Sequence, residues 1–182
     1  MKALLKLFSA IFLMLFPTLS LMAQEETKDY DAEYAVTLLK PSATAPDFTL
    51  KTSEGKDFSL SSLKGHYIVL DFWASWCPDC RKEIPNVLRM YKEYAPKGVK
   101  FVGISFDDKA DQWKDAIKKY DLKYIQVSEL KRMRDSQIAK TYGIKWIPSM
   151  YLIGPDGKIL VSTVMSDKIE KALADATQPS AR

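Results

Sequence analysis

The sequence predicts a single α/β domain built around a mixed central sheet. Apolar runs of strand length alternate with segments of helical periodicity, Gly and Pro punctuate the joins, and the chain closes with a strand, a turn, a strand and a helix. Taken in order, Asp47–Thr52 and Lys56–Leu60 are strand-like runs joined by the turn Ser53-Glu54-Gly55. Gly65 punctuates, and His66–Phe72 reads as a buried strand. Cys77–Tyr94 has helical spacing, with Ile84, Val87, Leu88 and Tyr91 on one face. Pro96 and Gly98 end it before a second buried strand, Val99–Phe106. In Ala110–Tyr120 the apolar residues Trp113, Ala116, Ile117 and Tyr120 follow the i, i+3, i+4, i+7 helix pattern. Tyr124–Val127 is a short strand, and Asp135–Tyr142 a short helix ended by Gly143. Trp146–Ile153 and Lys158–Val164 are strands separated by the hairpin signal Gly154-Pro155-Asp156-Gly157, and Asp167–Ala176 is the closing helix.

The first 23 residues stand apart. Lys2 and Lys6 precede an apolar run from Leu7 to Phe16, then Pro17 and Leu21-Met22-Ala23, and acidic residues begin at Glu25. A basic start, a short apolar middle and a small residue before a polar stretch make a secretory signal over 1–23. The apolar run is short for a membrane span, which needs about 20 residues. Leu21 is bulky for its place near the cleavage site, so an uncleaved anchor stays open as the alternative. No cysteine lies there to take a lipid. Residues 24–41 read as a polar tail or linker able to pack as an extra helix, and 42–182 as the domain.

The 182 residues are 47% hydrophobic and 27% charged, which is globular composition. Setting Lys2 and Lys6 aside from the 27 basic residues leaves 25 against 23 acidic ones. So balanced a surface carries no electrostatic footprint for nucleic acid.

Cys77 and Cys80 are the two cysteines. A bridge between them closes a very small loop, where loop closure stabilises least, so reactivity explains the pair better than stapling. Cys77 sits where a strand ends and a helix begins. Unpaired backbone N–H groups and the positive end of the helix dipole there favour the thiolate, the species that attacks disulfides. Pro78 suits the first helical position. Cys80 lies three residues on, on the same helical face. Cys77 is therefore the attacking sulfur, expected open at the helix tip, and Cys80 the resolving one. The helix terminus supplies roughly 0.3–2 kcal/mol. An Asp79 carboxylate about 6 Å from the sulfur would oppose it by roughly 0.7–2.8 kcal/mol. Terms so similar imply a thiol that is not strongly acidic and a poise on the reducing side.

Leu70-Asp71-Phe72-Trp73-Ala74-Ser75-Trp76-Cys77-Pro78-Asp79-Cys80-Arg81 resembles the active-site signature of the thioredoxin-like superfamily, in its TlpA/ResA-like exported branch. The likeness runs from Ala45-Pro46-Asp47-Phe48 to the last helix and includes Ile147-Pro148. It implies a thioredoxin-like fold with an N-terminal β-hairpin and a central βα insertion. It further implies that Asp71, six residues before Cys77, is a buried acid that takes the proton of the resolving cysteine. An acid between Leu70 and Phe72 is costly to bury unless paired or neutral; the alternative is that it points outward on an alternating strand. Pro148 resembles the family's cis-proline, which faces the disulfide. Trp76, Pro78, Ile147 and Pro148 would form the surface that meets substrate. Glu83 fits a family acid near the site, or equally a solvated helix face. The sequence departs from many members in placing proline after the first cysteine and Asp79 before the second, which leaves redox direction open.

The implied activity is thiol–disulfide exchange with protein disulfide or dithiol substrates in the periplasm, with reducing equivalents from a membrane electron donor and no cofactor. A net oxidase or isomerase, or a non-catalytic module with a static bridge, are the alternatives. His66, the lone histidine, begins a strand, and with two adjacent cysteines it cannot complete a tetrahedral zinc site. Ala74 stands where a peroxidatic site resembling Ala45-Pro46-Asp47-Phe48 proteins would carry Thr or Ser.

Overall fold

The computed structural model describes residues 28–178; the leader read over 1–23 lies outside them. A seven-stranded sheet forms the centre. Its strands are β1 (Thr49–Thr52), β2 (Asp57–Ser59), β3 (Ile68–Trp73), β4 (Lys100–Ser105), β5 (Ile125–Ser128), β6 (Ser149–Ile153) and β7 (Ile159–Thr163). The order is β2-β1-β5-β4-β3-β6-β7. Parallel β3·β4 and β4·β5 pairs are flanked by antiparallel ones, so the sheet is mixed as the sequence predicts. The N-terminal hairpin β1–β2 joins through Lys51 and Thr52 of β1, which pair with β5, so the inserted strand is what gives the hairpin an edge to bind.

The helices are α1 (Asp31–Tyr34), α2 (Pro78–Tyr94), α3 (Ala110–Lys119), α4 (Gln137–Thr141) and α5 (Ser166–Thr177). Every residue of β3 is buried, as expected of a strand covered on both faces. In α2 the buried face is Cys80, Ile84, Val87, Met90 and Tyr94, while Leu88 and Tyr91 pack at its margin. The apolar stripe is thus rotated slightly from the one read in the sequence. The strand expected over Trp146–Ile153 begins only at Ser149. Pro148 has no N–H to give a ladder, so Trp146 to Pro148 form a loop instead; the Ile147–Pro148 peptide is cis.

Residues 30–46 run along the domain rather than trailing from it. Asp31 accepts from Thr163 Oγ1 at 2.8 Å and Val164 N at 2.8 Å, and pairs with Lys168 Nζ at 2.7 Å. Ala35 and Leu38 are buried. Further along, Leu39 N donates to the Tyr151 hydroxyl at 3.0 Å, and the Tyr142 hydroxyl donates to Pro46 O at 2.5 Å. These two tyrosines sit in the core with Phe72, so each buried hydroxyl finds a polar partner in the segment crossing over it.

Gly143 lets that segment lie close. Its φ is +68°, and an added Cβ would stand 2.0 Å from Thr37 O. Gly143→Ala is expected to destabilise the protein by about 2–4 kcal/mol in urea unfolding, from αL strain plus displaced backbone. Gly55→Ala, also at positive φ but with nothing within 4 Å, should cost only about 1–2 kcal/mol.

Candidate active site

The site forms where β3 delivers the chain into α2. Between them the loop Ala74-Ser75-Trp76 is pinned from the end of β4. Asp107, 1% exposed, accepts from Ser75 N at 3.0 Å, Ser75 Oγ at 2.6 Å and Ser105 Oγ at 2.7 Å. A buried carboxylate is tolerated when its oxygens are satisfied in this way. Phe106 N donates to Trp73 O at 2.9 Å, and Arg81 Nη1 donates to Ser75 O at 3.1 Å. The position of Cys77 is thereby fixed from both sides of the loop.

Cys77 is the N-cap of α2 and Pro78 its first residue. Cys80 N–H donates to Cys77 Sγ at 3.1 Å. One of the orphan amides of the helix terminus is thus aimed at the sulfur, and such a donor favours its anionic form. The two cysteines are joined as a disulfide, with Cα atoms 5.3 Å apart. Asp79 is drawn into a 3.0 Å pair with Lys82 on the exposed surface, which blunts its opposition to a thiolate.

Cys77 is only 4% exposed, against the expectation of an open sulfur. Cys80 occupies one side of it, and Sγ lies 3.6 Å from Ile147 O on the other. Exposure belongs instead to the rims, Trp76 at 48% and Trp146 at 39%. Pro78 is exposed, while Ile147 and Pro148 are buried beneath those rims.

Asp71 lies inside the sheet, 4% exposed, and does not point outward. Burial raises its pKa to about 7; the Tyr124 hydroxyl, donating to Oδ2 at 3.1 Å, works against that rise, and the charge of Glu83 adds to it. Glu83 itself accepts from Ser166 Oγ and, at 3.2 Å, from Asn86 Nδ2, so it belongs to a hydrogen-bonded cluster rather than to a free helix face. Beside Asp71, Trp73 Nε1 donates to Gln126 Oε1 at 3.1 Å. Gln126 occupies the space that a side chain at Gly103, opposite Asp71 in the β3·β4 register, would need.

Several residues here escaped the sequence reading. Asp107 follows the C-terminal end of a buried strand, the edge where α/β sheets place functional groups, and that signal was available. Tyr124 is 53 residues from Asp71 and announces nothing locally. Tyr34 stacks on Trp146 with centroids 4.3 Å apart, bringing the N-terminal segment to the site. Among the described residues no three His, Cys, Asp or Glu side chains group as a metal site, and no helix is long and apolar enough to cross a membrane.

The AhpC/TSA family model matches residues 41–162. A thiol-disulfide oxidoreductase ResA from Bacillus thuringiensis is 35% identical over 116 residues, covering 64% of this chain and 65% of that protein's length. The ResA protein of Oceanobacillus iheyensis is 32% identical over 92% of this chain and 86% of its own. Among solved structures, a thiol-disulfide oxidoreductase from Bacteroides fragilis aligns with a TM-score of 0.69 and 33% identity, over 74% of this chain and 99% of that one.

Proposed function

We propose, for a chain that belongs to the thioredoxin-like AhpC/TSA family, that it is a thiol–disulfide oxidoreductase acting on protein disulfides, in the reducing direction. The observation that carries this is the Cys80 N–H directed at Cys77 Sγ at the start of α2, with the second sulfur within bonding reach. The activity named for the relatives supports it.

In the reduced protein the Cys77 thiolate attacks one sulfur of a substrate disulfide. A Cys77–substrate bond forms, and the other substrate sulfur leaves as a thiolate and takes up a proton. Cys80 then loses its proton and attacks Cys77 Sγ, expelling the second substrate thiol and leaving the Cys77–Cys80 disulfide. Asp71 accepts that proton: with its pKa near 7 it is available as a base at neutral pH. Ser75 and Asp107 hold the attacking residue in place. Trp76 and Pro78 are the exposed part of the surface that meets the substrate chain, with Ile147 and Pro148 as its floor beneath the rims.

The leader read over 1–23 places the protein outside the cytoplasm, cleaved or tethered. Two electrons must return to the disulfide there, and a membrane thiol donor supplies them.

Equilibration with glutathione buffers tests the direction, together with turnover of a protein disulfide. The expected potential is more negative than about −180 mV. A value of about −120 mV makes the protein a net oxidant. A disulfide that resists millimolar dithiothreitol, with no turnover, leaves only a static binding module.

A further inference from the structure

Resting on that reading, we propose that the cleft beside Pro148 receives a basic side chain, lysine or arginine, from the substrate segment bound there, which makes Tyr34 a specificity-determining residue. The cleft has a volume of about 400 Å³ and opens next to the redox pair through Pro148 and Asp79. Its walls are aromatic: Tyr30, 45% exposed, and Tyr34 stacked on Trp146. Its charged lining is Asp79, Glu83 and Lys82, one negative charge in sum. Exposed π faces beside carboxylates attract a cation more than either feature alone, because ring quadrupole and charge act on the same group.

The protein's own cations leave the Tyr34–Trp146 pair uncovered. Lys82 is turned to solvent with its side chain 76% exposed, held to Asp79. Among the described residues no lysine or arginine lies over the ring of Tyr34 or Trp146; Lys28 approaches Tyr30 alone. On the other side of the pair, the groove against Trp76 carries Lys109, Arg132 and Arg134 against Asp108. Its net charge is positive, so a basic side chain is favoured on one flank of the reacting cysteine and disfavoured on the other. The aromatic wall exists because Asp31 fastens the N-terminal segment to Thr163, Val164 and Lys168.

The test uses disulfide-containing synthetic peptides that differ only in carrying Arg or Glu immediately before, or immediately after, the attacked cysteine. The full chain, reduced beforehand, is mixed with an excess of each peptide, and the second-order rate constant of the single oxidation of its Cys77–Cys80 pair is measured. At one of the two positions the Arg peptide is expected to be preferred by about tenfold. That ratio should fall towards one in Tyr34→Ala and in Asp79→Asn, and shrink in wild type at high salt. Both peptides are measured on one preparation, so the folded fraction cancels from the ratio. Equal rates for Arg and Glu at both positions, or a preference undiminished in Tyr34→Ala, overturn the inference while leaving the oxidoreductase reading intact. Failure to reduce any of the peptides overturns both.

Discussion

Cys80→Ser should turn the protein into a covalent trap. Cys77 keeps its place at the helix terminus, and a serine amide at position 80 still points at its sulfur, so attack on a substrate disulfide proceeds. The hydroxyl that replaces the second thiol cannot displace the bound sulfur, and the mixed disulfide persists until an outside thiol cleaves it. Well-placed intramolecular groups act at effective concentrations of about 10⁵ M or more, against about 10⁻³ M for an added thiol. Turnover is therefore expected to fall by more than about a thousandfold, with adducts visible on non-reducing gels and released by dithiothreitol. Cys77→Ser should give neither turnover nor adducts, because Cys80 lies inside the first turn of α2 rather than at its cap. Adducts forming on Cys80 in that variant would reverse the assignment of attacking and resolving roles.

The parts of this site that are legible in the sequence are those whose physics is local. The Cys77–Pro78 junction reads as strand end, cap and helix start because each follows from its immediate neighbours, and α2 starts at Pro78. Gly143 ending a helix and Gly157 in a hairpin likewise take positive φ where the pattern asks for glycine. What the sequence hides is partnership at a distance. Glu83 reads equally as a surface acid until Ser166 is seen bound to it from the last helix. The segment before residue 42 reads as a tail or linker able to pack as an extra helix, because its composition is polar around a small apolar patch at Tyr34–Leu39. Only the fold reveals that Asp31 is polar in order to meet Lys168 and Val164. Cys77 looked open because helix tips usually are, and the Ile147 carbonyl that shields it arrives from 70 residues away.

Asp71→Asn is expected to make the protein slower and, at alkaline pH, more stable. The sign follows from proton binding. The native pKa is about 7 against 3.8 for an unperturbed aspartate, so between those values the unfolded chain has lost a proton that the native state retains. Stability therefore falls as pH rises through that window, and the loss is complete above about pH 7. A shift of about three units corresponds to roughly 4 kcal/mol. Asparagine removes this penalty and can still accept from Tyr124, but its buried amide hydrogens lack a partner, at a cost of about 1–3 kcal/mol. Urea unfolding should thus show the variant more stable by about 1–3 kcal/mol at pH 8 and less stable by a similar amount at pH 4. Reduction of a protein disulfide should slow by at least about tenfold at pH 7, and the limb of the wild-type profile that rises near pH 7 should vanish. Glu83 and Tyr124 act on the same carboxylate, so Tyr124→Phe should move that limb to higher pH by removing the hydrogen bond that favours the anion. Should Asp71→Asn leave the rate and its pH profile unaltered while still reversing the stability difference between pH 4 and 8, the carboxylate is buried without taking part in the exchange.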